Sequence, residues 1–228
     1  GPGLYTTTLN IGTNVGGSGS LTTQYAALSA SNIIIGDAGN GRLSIGTCSA
    51  TYASISAGTI TLGAQATGVG TLSLNNLTSY LTASTLYVGD AGTGYLNMSG
   101  GTLNATSILF GNSATGSGYA SLFNSTVSVS TLFVGQNGLG GVEVSNGSNL
   151  SAWTVSIGRN AGSRGSMTVN GTGTQFTATG AGTSVVVGDA GSGSLAIVNG
   201  ATATIGSLSV GNTGNGFLTV SALSTLHA

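Results

Sequence analysis

The stretch Ile33-Ile34-Ile35-Gly36-Asp37-Ala38-Gly39-Asn40-Gly41-Arg42-Leu43 decides how this chain is built. Aliphatic residues alternate up to a glycine, the chain turns through Gly-x-Gly, and a second aliphatic position follows. Leu86-Tyr87-Val88-Gly89-Asp90-Ala91-Gly92-Thr93-Gly94-Tyr95-Leu96 repeats the phrase. Further copies carry the first glycine at Gly12, Gly63, Gly111, Gly135, Gly158, Gly188 and Gly211, so about nine units of roughly 22 to 30 residues fill the sequence. Such a period means a solenoid, because each unit can bury its apolar face only against its neighbours.

The apolar residues of one unit are Leu86, Val88, Leu96, Met98, Leu103 and Ile108, and those of another are Val185, Val187, Leu195, Ile197 and Ile205. Period-two alternation puts them on one face of short strands, and no helical spacing persists. Antiparallel hairpins or stacked coils both fit strands joined by tight turns. Unit length favours coils: about 24 residues holding two or three strands of four or five residues make one turn of a parallel β-helix. The sequence therefore predicts an all-β fold, a right-handed parallel β-helix of about nine coils forming a rod of roughly 40 Å, as one domain over residues 1–228. The long interval from Gly158 to Gly188 predicts a protruding loop of about six extra residues, and Cys48 to Gly58 reads as looser.

An apolar fraction of 39%, placed periodically, separates this Gly- and Ser-rich chain from disordered sequences. With three basic residues (Arg42, Arg159, Arg164) against four acidic ones, it lacks the cationic surface that nucleic acid or an anionic membrane requires. So little charge also weakens protection against self-association. The single Cys48 is compatible with export through an oxidising compartment. Gly1-Pro2 has the look of a tag-cleavage scar, so a fragment of a longer protein is expected. No apolar run approaches a membrane helix, and strands of four or five residues are too short for an outer-membrane barrel.

The phrase [Ile/Leu/Val]-Gly-x-x-Gly-x-Gly-x-[Leu/Val]-x-[Val/Ile/Met], followed by Gly-Gly or Asn-Gly, is matched best over residues 88–102, 134–148 and 187–201. It resembles the repeat of autotransporter passengers and of PEP-CTERM-associated bacterial surface proteins. The resemblance implies a β-helical stalk exported by a type V route and displayed at a bacterial cell surface, but no particular activity.

Candidate chemistry is sparse. The only histidine, His227, has no serine partner in the body of the rod, and Asp37, Asp90, Glu143 and Asp189 are the whole acidic supply. Asp37, Asp90 and Asp189 share the slot after the repeat glycine with Asn112 and Asn212. That slot predicts turn-capping by Asx-type bonds to nearby backbone amides. Asp37 and Asp90, a full coil apart across Ala64, would lie about 10 Å from one another, too far to share a metal. Arg159 and Asp189 fall in the slot on adjacent coils and could pair. No catalytic residue, cofactor or metal is expected.

Surface is what remains. One outward slot holds Ile34, Thr61, Tyr87, Leu109, Phe133, Ser156, Val186 and Ser209 in successive coils, so Ile34, Tyr87, Leu109, Phe133 and Val186 form a candidate exposed contact stripe. The expected function is a structural or adhesive passenger region of an extracellular bacterial surface protein. Its partners would be further copies of itself, a host or abiotic surface, or a glycan, with neither nucleic acid nor membrane insertion. A polysaccharide-binding or -degrading β-helix and an ice-binding module are the alternatives on the same fold.

Overall fold

The computed structural model describes residues 3–24, 26–46 and 53–228, so Gly1, Pro2 and Cys48 lie outside the described residues. The chain is a parallel β-solenoid of about nine turns, with no helix among the described residues. Each of the first seven coils gives one strand to a 12-stranded sheet and one to a 9-stranded sheet; the eighth and ninth give two shorter strands each to the first sheet, and the strands pair in parallel with their counterparts one coil on. Ser79–Val88 and Thr93–Ser99 are the two strands of the fourth coil.

Up to Asn149–Ile157 the strands of the first sheet are longer than expected, at nine or ten residues, whereas later ones such as Gln175–Ala178 and Ser184–Val187 have four. Ala53–Leu62 and Ser79–Val88 run for 10 residues each. They read as shorter pieces because their alternation slips once: Ser84 and Thr85 both face outward before it resumes at Leu86. The strand bends at this slip without breaking. Ala53–Leu62 also replaces the looseness expected up to Gly58, while residues 47–52 lie outside the described residues.

Inward residues stack by type. Leu28, Ile55, Leu81, Leu103, Val127 and Leu150 form one column of the first sheet, facing Leu43, Leu72, Leu96, Ala120, Val142 and Met167 of the second. All are buried. Each large aliphatic side chain removed from water this way contributes about 1.5–3 kcal/mol before its entropic cost. At Ala120 the column lacks bulk, leaving an apolar void of about 10 Å³ lined by Leu96, Leu122 and Val142 among others.

Two glycine columns make the corner between the sheets. The nine repeat glycines all have positive φ, from 60° at Gly111 to 74° at Gly188. The second column, Gly41, Gly70, Gly94, Gly118 and their counterparts, packs directly on backbone: a Cβ at Gly70 would fall on the carbonyl oxygen of Ile35, and one at Gly118 on that of Val88. No other residue type fits such an approach.

The turn joining these columns alternates in length. Gly12 to Gly19, Gly63 to Gly70, Gly111 to Gly118 and Gly158 to Gly165 span two residues more than Gly36 to Gly41, Gly89 to Gly94, Gly135 to Gly140 and Gly188 to Gly193. Longer and shorter turns thus interleave through the first eight coils. The predicted insertion sits at the bend of the eighth coil, where residues 179–183 take the place held by Trp153 alone in the coil before and Gly206 in the coil after.

Candidate contact surface

The expected stripe exists as a column. Ile34, Thr61, Tyr87, Leu109, Phe133, Ser156 and Val186 pair in register along the first sheet. Its exposure is what differs. Leu109 is only 9% exposed, and Ile34, Tyr87, Phe133 and Val186 are half-buried. Strands about 4.8 Å apart set the rings of Tyr87 and Phe133 on either side of the smaller Leu109, leaving it little access to solvent. Arg159 then places its guanidinium carbon 3.7 Å from the centroid of the Phe133 ring. This cation–π contact contributes about 0.5–1 kcal/mol. The column is a partly covered seam beside the glycine corner and not an open apolar stripe.

The same contact corrects the pairing expected of Arg159 with Asp189. With Arg159 turned onto Phe133, Asp189 accepts hydrogen bonds from Nδ2 of Asn212 at 2.9 Å and, more weakly, from Oγ of Ser156 at 3.5 Å.

The polar residues of the turns bond from coil to coil, where a bond inside each turn was expected. Oδ1 of Asp37 accepts from Nε2 of Gln65 at 2.9 Å, and Oδ1 of Asp90 from Nδ2 of Asn112 at 2.6 Å. Asn137 donates to the Asn112 carbonyl and Asn160 to Oδ1 of Asn137, which extends the ladder over four coils. The three aspartates all occupy the shorter turns, which explains why no two sit on adjacent coils. Their amide partners belong to the coil that follows.

The other charged groups are dispersed. Arg42, Glu143 and Arg164 lie in three different columns of the second sheet, and His227 pairs with Thr204 in the last strand. Among the described residues no three His, Cys, Asp or Glu side chains gather.

Two aromatic features went unread in the sequence. Tyr95 and Tyr119 stack with ring centroids 5.9 Å apart on the second sheet, about two-fifths exposed each. Both follow a glycine of the second column, as Gly94-Tyr95 and Gly118-Tyr119, so aligning the repeats would have paired them. Trp153 stands at the bend of the strand Asn149–Ile157, 58% exposed. Its column is otherwise Ser, Thr and Gly, and counting along the repeat would have singled it out. In comparisons with known proteins the chain matches no family model, no curated protein and no solved structure.

Proposed function

We propose that the chain is a rigid structural and adhesive rod of an extracellular bacterial surface protein, akin to the passengers its repeat resembles. The observation that carries this reading is the unbroken register of coils, which sets like residues in columns along faces that bear almost no charge. A face of this kind offers the same small contact many times over. Strength then comes from repetition, since each added contact acts at high effective concentration once the first has formed. Scarcity of charge lets two such faces approach with little repulsion.

The test is display. Bacteria carrying the rod on an inert anchor are expected to clump or adhere to a surface more than bacteria carrying the anchor alone. Substituting Ser166 and Ser194, outward on the second sheet, with Lys should reduce the effect and restore it in part at high salt. Adhesion no greater than that of the bare anchor defeats the proposal.

A further inference from the structure

The bend in the long strands of the first sheet is hollow on its solvent side. Its floor is a column of small residues, Ala30, Ala57, Ala83 and Ala105. Hydroxyl and amide side chains stand along its walls. Two hollows, of about 720 and 250 Å³, follow one another along the axis and meet at the fourth coil, the first lined by Ser84 and the second by Thr82 and Ala83. Both are shallow and open, and they follow the same columns of the first sheet, so they line up end to end as a groove across several coils. Tyr5, 73% exposed, stands at one end. Trp153 stands at the other, and residues 179–183 are inserted at the same bend one coil on.

Three properties define what the groove accepts. The first is neutrality. Asp37, Asp90, Arg159 and Asp189 belong to the glycine corner, and Arg42, Glu143 and Arg164 to the second sheet, so no formal charge lines the groove. A nucleic acid, a phosphate or a polyuronate would find no counter-ion there. The second is a set of uncommitted polar groups. Beyond the backbone ladder, the side chains of Ser29, Ser56, Thr82, Asn104, Thr106 and Ser130 make no hydrogen bond to another described residue, whereas the hydroxyls of Thr67, Thr115, Ser125, Ser148 and Thr174 at the turns are bonded to the protein. The third is an aromatic face beside those hydroxyls, since Trp153 is the only tryptophan and lies open at the end of the hollow.

Hydroxyl donors and acceptors repeated about every 4.8 Å, with an aromatic ring at the end, complement an extended chain of pyranose rings. The ring hydroxyls bond the walls, and the apolar C–H face of a sugar packs on the indole. We propose that this groove binds a neutral, extended oligosaccharide along the rod axis, with Trp153 as its stacking platform. The groove lies on the first sheet, apart from the second-sheet face substituted above; it rests on the adhesive reading and adds a ligand class to it, and it is read on purified protein whether or not displayed cells adhere.

The single tryptophan supplies a local probe. Titration with cellohexaose, mannohexaose and xylohexaose is expected to give a saturable blue shift of Trp153 emission with at least one of them, and oligogalacturonate of the same length none. Calorimetry with the responding sugar should show at least a tenfold weaker affinity for Trp153→Ala, and loss of binding for Thr106→Arg, which fills the middle of the groove. Both residues are exposed, and an unchanged far-UV spectrum checks the fold of each variant independently. No saturable shift with any of the three neutral sugars overturns the proposal, as does an equal response to oligogalacturonate. Affinity unchanged in either folded variant overturns the assignment of the site.

Discussion

Asn112 donates from its side-chain amide to Oδ1 of Asp90 at 2.6 Å, bridging two successive coils at their glycine corner. The bond is partly buried and one partner is an anion, so it outweighs an ordinary surface contact. Asn112→Ala is expected to cost about 1 kcal/mol, read as a lower urea midpoint with an unchanged slope. A midpoint equal to that of the parent would show that water replaces the amide without loss.

The spacing of the aspartates yields a second prediction. Ala64 follows the repeat glycine on the coil between those of Asp37 and Asp90, and Ala64→Asp would bring a third carboxylate between theirs, one rung spacing of about 4.8 Å from each coil. A loss of about 1 kcal/mol at low ionic strength is expected, shrinking in 1 M salt. Ala64→Asn can bond Asp37 as Asn112 bonds Asp90, so it should be neutral or stabilising. Equal effects of the two substitutions would remove charge from the explanation.

Glycine is needed in this chain for two separable reasons. At Gly118 a Cβ would land on the Val88 carbonyl of the preceding coil, so Gly118→Ala must push two rungs apart, at about 3 kcal/mol or more. At Gly147 φ is 75° and nothing lies within 4 Å of the added carbon. Gly147→Ala therefore meets only the backbone penalty of about 1–2 kcal/mol. Thermal or urea unfolding of both variants checks the order, and a larger loss at Gly147 would contradict it.

The void beside Ala120 points to a stabilising change. Val at this position extends the column between Leu96 and Val142 into empty apolar space. Ala120→Val is expected to raise stability by about 0.5–1 kcal/mol. A lower midpoint would mean that the surrounding rungs cannot yield to the extra methyl groups.

The coil architecture was legible because the repeat glycines and the alternating Leu, Val and Ile are both local signals, and the pairing of Gly36 with its counterparts follows once the copies are aligned. Strand length was not, since the phase slip at Ser84 and Thr85 looks in sequence like the end of a strand. The column containing Tyr87, Leu109 and Phe133 was readable from alternation. Its partial burial was not, because that depends on the width of neighbouring rings and on Arg159 folding back over Phe133. The bonds to Asp90 and Asp189 come from residues more than twenty positions away, beyond any rule about a single turn. Trp153 was visible as a residue but not as the end of a groove, which exists only where several coils bend together.

Interleaving of longer and shorter corners also constrains how such a chain can grow. Copying two consecutive coils as a block reproduces every neighbour relation at the seam, from Gly12 beside Gly36 through Gly158 beside Gly188. Copying a single coil of the longer kind would set two of them face to face, an adjacency found nowhere in the described residues, while two of the shorter kind meet once, at Gly188 and Gly211. The natural increment of length is therefore a doublet, and insertions or deletions between homologous chains should be found in even steps.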